Sequence, residues 1–284
     1  MKHIVVIGVG LIGGSFAKAI KKCYPDIKIY GMDISEHHLQ KAINLNIIDA
    51  VATQNQLEDA DLILLSVPVN EAVQLLPEIL NNLALHTLVI DVGSTKQAIC
   101  QAVQHHPKRN QFLATHPIAG TEFSGPEAAL EQLFFKKTNI ICEIEKTAFK
   151  LQQKALAVFN DLGMLIRYMD PKAHDVHIAY VSHLSHISSF MLGKTVMDKE
   201  ENEKDIFDLA GSGFESTVRL AKSSPTMWSA IFQQNKANVL EALELYIQNL
   251  QTFKDLIATE NQTALHETMK NTNRIKEILN GINQ

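Results

Sequence analysis

Three glycines near the start of the chain decide what it can fold into. Gly8, Gly10 and Gly13 have the spacing G-x-G-x-x-G and follow directly on a short Val- and Ile-rich run that begins at His3. A run of this kind reads as a strand buried on both faces, and the segment Ser15 to Lys22 after the glycines reads as a helix. The first glycine allows the tight turn, the second lets backbone approach a pyrophosphate, and the third lets helix pack on strand. The orphan N–H groups of the helix start then face the phosphates. A second strand, Ile27 to Met32, ends on Asp33. An acidic residue roughly 20 positions past the last glycine is what the ribose hydroxyls of a dinucleotide call for. No arginine follows in Asp33-Ile34-Ser35-Glu36, so the carboxylate would repel a 2′-phosphate, and the expected cofactor is NAD rather than NADP. Leu11 and Ile12 within the glycine turn and Val67 at the end of the third strand complete the expected cofactor contacts.

The alternation of strand and helix continues. Asp61 to Val67, Thr87 to Val92, Gln111 to Thr115, Asn139 to Ile144 and Met164 to Met169 read as strands, with helices over Asn70 to Leu83 and about Thr147 to Leu162. The pattern predicts an α/β fold with a doubly wound, Rossmann-type sheet, whose ligands lie at the carboxyl ends of the strands. Two strand ends carry polar groups, Gly93-Ser94-Thr95-Lys96 and His116. Ser94 and His116 therefore share an edge with the glycine turn.

Beyond Pro171 the period is helical throughout, so a sheet domain over 1–169 is followed by an all-α domain over 170–284. Lys172 to about Val196 reads as one long helix, Asp198 to Asp205 as a charged connection, and Phe214 to Lys222 as a short helix. Pro225 opens a very long helix reaching about Ala258. Within it Val239, Leu243, Tyr246, Leu250, Phe253 and Ile257 are spaced 4, 3, 4, 3, 4, a heptad-like seam. A small helical domain with helices this long buries such seams poorly alone, which points to a homodimer joined through them. His174 and His177 read as solvated helix histidines. His183 and His186, in YVSHLSHISSFM, stand among small and apolar neighbours, so at least one lies inside a cleft. No carboxylate or Cys completes a metal set around them, and no metal is expected. Arg219 follows the Gly211-Ser212-Gly213 turn, where it could grip a carboxylate in bidentate fashion.

Composition removes other classes. A net charge of -5 argues against non-specific nucleic-acid binding. Cys23, Cys100 and Cys142 lie far apart with no CxxC pair, which suits a reducing cytoplasm. MKHIVVIGVGLIGGSFAKA imitates a signal peptide, but its glycines are too regularly placed for export. No apolar run reaches the ~20 residues needed to span a bilayer.

The segments GVGLIGGS, DVGSTK, THPIAGTEFSG, SHLSH and GSGFESTVRLAKSSPTMW, in that order over nearly the whole chain, resemble the prephenate/arogenate dehydrogenase family of tyrosine biosynthesis. HPIAG together with the downstream arginine segment is far more specific than the glycines. The resemblance implies NAD-dependent oxidative decarboxylation of prephenate, giving 4-hydroxyphenylpyruvate, carbon dioxide and NADH. It implies that His116 draws the proton of the C4 hydroxyl as hydride departs, with Ser94 holding hydroxyl and imidazole in register. Arg219 would bind a substrate carboxylate with His186 near the substrate and Ser182 and His183 lining the cleft. Glu122 would act as a polar gate and Trp228 as a wall behind the arginine helix. The chemistry agrees, because removing a proton and a hydride from one carbinol needs a base, and a dicarboxylate needs a fixed cation.

The chain departs from the family pattern at two points. Ser185 stands where SHLPH is common, with little effect expected, and Glu215 stands where many members carry a basic residue. Glu215 leaves arogenate open as substrate, since an amino group would welcome a carboxylate. Neither mutase helices nor a regulatory domain fit in 284 residues, so a monofunctional enzyme is expected. A β-hydroxyacid dehydrogenase would need a catalytic lysine, for which Lys236 in QNKAN is the candidate, and it has no place for HPIAG. An NADH-sensing regulator would need a DNA- or partner-binding segment, against which the charge counts.

Overall fold

The computed structural model describes residues 1–201 and 205–282. The β-branched runs become β1 (His3–Ile7), β2 (Lys28–Met32), β3 (Ala50–Val51), β4 (Leu62–Leu65), β5 (Leu88–Asp91), β6 (Phe112–Pro117), β7 (Thr138–Cys142) and β8 (Leu165–Tyr168). They form one sheet in the order β3-β2-β1-β4-β5-β6-β7-β8. Helices α1 (Leu11–Cys23), α2 (Glu36–Asn44), α3 (Gln54–Glu58), α4 (Val69–Asn81), α5 (Gln97–Ala102) and α6 (Phe149–Asp161) flank it. Side chains alternate along each strand, so both faces need cover. Ile4, Val6, Leu62 and Leu64 pack with Phe16 and Ile20 of α1 and Val158 of α6. Val5, Ile7, Ile63 and Leu65 pack with Leu76 and Leu80 of α4 and Ile99 of α5. An N-terminal mixed sheet of Rossmann-like form is thus followed by a largely helical region. The two-residue β3 is too short for periodicity to reveal.

One strand runs against the expected pattern. β7 pairs antiparallel with β6, His116 opposite Ile140 and Pro117 opposite Asn139. A parallel partner needs a crossover to the far edge of the sheet. Residues 118–137 contain only a 3₁₀ turn at Pro126–Ala128, and Ile118 N–H donates to the Thr138 carbonyl at 2.7 Å. The chain therefore re-enters at the edge where β6 left it. β8 pairs parallel with β7.

The remaining helices are α7 (Pro171–Ile178), α8 (Leu184–Glu200), α9 (Ser212–Val218), α10 (Pro225–Gln234), α11 (Lys236–Ala258), α12 (Gln262–Thr272) and α13 (Ile275–Ile282). The single helix expected over 172–196 is interrupted by a π turn at Ala179–His183, and α8 continues to Glu200. Residues 202–204 of the expected charged connection lie outside the described residues. The very long helix expected from Pro225 is broken at Asn235, whose side chain is drawn inward to donate to the Asp175 carbonyl at 2.7 Å. Two compact units result, Met1–Lys236 and Ala237–Gln284. In the second, Val239 and Ala242 of α11 are buried, while Leu240, Leu245, Ile247, Leu250 and Ile257 are exposed.

The loop after β5 is fastened from below. Lys96 Nζ donates to Asp91 and, at 2.7 Å, to the Thr115 carbonyl, and both charged side chains are essentially fully buried. Asp91 also accepts from the Gly93 and Thr115 N–H groups. Lys96→Met should cost about 3–5 kcal/mol in urea unfolding, because it strands a buried carboxylate. A loss under about 1 kcal/mol, the worth of a surface pair, would contradict this.

Candidate active site at the carboxyl edge of the sheet

The glycine turn forms a cradle. Gly8 has φ 90°, and a Cβ there would meet the Ser66 carbonyl oxygen at 2.2 Å. At Gly13 it would meet the Gly8 carbonyl oxygen at 2.0 Å, whereas at Gly10 nothing lies within 4 Å. Gly10 is the N-cap of α1, and neither a side-chain cap nor an acidic first-turn residue answers its N–H groups. That leaves donors and dipole for an anion. Asp33 follows directly on β2 and accepts from Val9 N–H at 3.0 Å and Ser35 N–H at 2.9 Å, so its carboxylate is locked beside the turn. Leu11 and Ile12 are half-buried against the sheet cluster, and Val67 packs against the opposite one. These features fit a dinucleotide.

His116 sits near the end of β6 and is 8% exposed. Its Nδ1 is 2.8 Å from Nε2 of His174, whose Nδ1 is 2.8 Å from Asp175 Oδ1. Asp175 in turn accepts from the N–H groups of Lys96 at 2.7 Å and Gln97 at 2.9 Å. His174 is 1% exposed, so the expectation of a solvated histidine is wrong. Asp170 caps α7 through the N–H groups of Lys172 and Ala173, and the helix so started turns His174 and Asp175 inward. Burial, reinforced by the neighbouring His174, Lys96 and His183, pushes the His116 imidazole well below its ordinary value. Ser94 is half-buried on the loop after β5, and among the described residues no hydrogen bond joins it to His116.

The π turn widens one turn of the helix by a residue; His183 closes it and His186 follows in the first turn of α8. His183 is fully buried, with Asn235 Nδ2 at 3.3 Å from its Nδ1, and its Nε2 has no partner. Burial pulls its imidazole down to about 4. His186 Nδ1 donates to the Ser182 carbonyl at 3.0 Å, and the ring stacks on Trp228 with centroids 3.5 Å apart. Burial lowers His186 as well, with Arg219 adding to it. Trp228, from α10, thus packs on the histidine helix, with its Nε1 buried and unpartnered. Arg219 lies in the 3₁₀ turn that follows α9 and donates to Glu122 at 3.1 Å. Glu122 is on the loop that leaves His116, and its own backbone N–H, then Arg219 and Lys222, hold its carboxyl below the ordinary range.

The sequence reading missed His174, Asp175 and Asn235. An adjacent His-Asp pair behind the Asp170-Pro171 helix start was the available signal for the first two. No sequence signal marks Asn235 as a bridge between Asp175 and His183.

The family model described as prephenate dehydrogenase, nucleotide-binding domain, matches residues 16–168, and that described as its dimerization domain matches residues 170–271. Prephenate dehydrogenase of Bacillus subtilis is 32% identical over 271 residues, 94% of this chain and 73% of that one. The structure of prephenate dehydrogenase from Aquifex aeolicus in complex with hydroxyphenyl propionate and NAD+ superposes with TM-score 0.87 at 35% identity, covering 98% of both chains. Synechocystis arogenate dehydrogenase superposes with TM-score 0.76 at 27% identity, covering 98% of this chain and 99% of that one.

The open space at Gly10 yields a test. Gly10→Val should weaken NAD+ binding by calorimetry about tenfold or more, because its methyls fill the pyrophosphate approach, while the unfolding midpoint holds. Unchanged affinity would place the dinucleotide elsewhere.

Proposed function

The chain belongs to the prephenate dehydrogenase family, and from that premise we propose that it oxidises prephenate with NAD to 4-hydroxyphenylpyruvate and carbon dioxide, a step toward tyrosine. The observation that carries the reading is His116. It is an imidazole kept neutral by burial at the sheet edge that bears the dinucleotide cradle, with Nε2 free of any partner among the described residues. The hydroxyphenyl propionate bound by the Aquifex aeolicus enzyme differs from the proposed product only at the keto group, which supports the substrate class. NAD is preferred to NADP because Asp33 would face a 2′-phosphate with like charge.

Bound NAD supplies the acceptor for the C4 hydride. His116 Nε2 takes the C4 hydroxyl proton as that hydride leaves, and C4–O becomes a carbonyl. The bond from the ring to its carboxylate then breaks, carbon dioxide departs, and the electron pair aromatises the ring. His116 returns the proton to the phenolate oxygen, so no proton is lost overall. Ser94 is assigned to the substrate hydroxyl. Arg219 takes a substrate carboxylate in exchange for Glu122, which then acts as the gate. Ser182, His183, His186 and Trp228 are assigned to the cleft, with the buried His183 and Trp228 forming its wall.

Arogenate is the second reading. Glu215 of α9 is exposed with Lys222 at 3.9 Å, and a carboxylate at the mouth suits an amino group where prephenate has a keto group. A β-hydroxyacid dehydrogenase is disfavoured because Lys236 is exposed at the start of α11. We place the boundary between nucleotide-binding and substrate-binding domains at 169/170. The exposed apolar residues of α11 support a homodimer through the helical domain, and the three unpaired cysteines suit a reducing cytoplasm; no described helix is long and apolar enough to cross a membrane.

The purified protein should reduce NAD+ with prephenate, followed as NADH absorbance, and more slowly with arogenate. His116→Asn should lower kcat about 10²–10⁴-fold with NAD+ affinity intact. No turnover of either substrate by the parent protein, or more than about a tenth of kcat left in the variant, would refute the proposal.

A further inference from the structure

We infer that His174 and Asp175 are positioning residues that fix the proton of His116 on Nδ1 and so present Nε2 to the substrate as a bare lone pair. The inference rests on the proposed role of His116. A neutral imidazole can carry its proton on either nitrogen, and only the bare one accepts. The assignment propagates inward from Asp175. An ionised carboxylate only accepts, and Asp175 already accepts from the N–H groups of Lys96 and Gln97 at the start of α5. The His174 nitrogen 2.8 Å from Asp175 Oδ1 is therefore the donor, so His174 carries its proton on Nδ1. Burial keeps His174 neutral, against the opposing pull of Asp175, which leaves its Nε2 as a lone pair. That lone pair lies 2.8 Å from His116 Nδ1, where the arrangement closes only if His116 Nδ1 donates. Had His116 carried its proton on Nε2, two lone pairs would face each other in a buried site.

The network also joins α7 to the sheet edge, so a structural role must be separated from a tautomeric one. Two substitutions at His174 do this. In His174→Gln the side-chain amide can donate to Asp175 while its oxygen accepts from His116 Nδ1. His174→Met fills the space with no strong acceptor. Histidine-labelled protein, with ¹⁵N–¹H long-range correlation spectra and His116→Asn for assignment, reads the tautomer without substrate. The parent protein and His174→Gln should show His116 protonated on Nδ1, and His174→Met a shift of population toward Nε2–H. In steady state at pH 7.5, His174→Met should lose roughly 10- to 100-fold in kcat with the prephenate KM within about twofold, and His174→Gln should stay within about threefold of the parent. A parent His116 protonated on Nε2 would overturn the inference. So would parent kcat and parent tautomer in His174→Met, or equal losses in both variants. If the tautomer is as stated but His116→Asn remains fully active, the tautomer stands and the base assignment falls.

Discussion

A buried carboxylate with no Lys or Arg paired to it among the described residues holds this site together. Asp175, on α7, reaches the start of α5, a short helix whose N-cap, Lys96, provides no side-chain cap. It answers the N–H groups of Lys96 and Gln97 and the ring of His174. The Lys96 N–H and the His174 ring would otherwise be buried without a partner, at about 1–3 kcal/mol apiece. The same contact joins three pieces that are distant in sequence: the loop after β5, the helix that follows the sheet, and, through His174, the end of β6. Asn235 extends the joint to His183, which it approaches while donating to the Asp175 carbonyl. The geometry around His116 is thus set by backbone amides and packed helices rather than by free side chains.

Charge is distributed to suit a base rather than an acid. The imidazoles of His116, His174, His183 and His186 are all held down, chiefly by burial. The nearest buried cation, Lys96, is matched by Asp91 beneath the loop. The free-standing cation of the mouth is Arg219, half exposed and answered by Glu122. In water-accessible surroundings that pair is weak and exchangeable, which suits the proposed exchange of the glutamate for a substrate carboxylate.

Much of the frame is legible in the sequence because local chemistry alone determines it. The glycine spacing, Asp33 at a strand end, and polar residues at the ends of β5 and β6 each follow from a turn or a strand period. The direction of β7 is less legible, since it depends on the absence of a crossover helix over 118–137 rather than on any residue within the strand. The π turn is illegible, because YVSHLSH has ordinary helical composition and the extra residue answers tertiary packing. His174 is hard to place for a related reason. The Asp175 beside it hints at a partner, but only the fold brings it against His116.

The measurement that tests this account most directly is the pH dependence of kcat/KM for prephenate. The proposed base must be neutral to act, so activity is present above the imidazole titration and lost as pH falls through it. Because burial and neighbouring groups lower His116, the acid limb should lie below pH ~6.5, the ordinary imidazole value. The limb should also be absent from the residual activity of His116→Asn. An acid limb at or above that value, or one that survives in the variant, would contradict a buried, neutral His116 as the group that takes the proton.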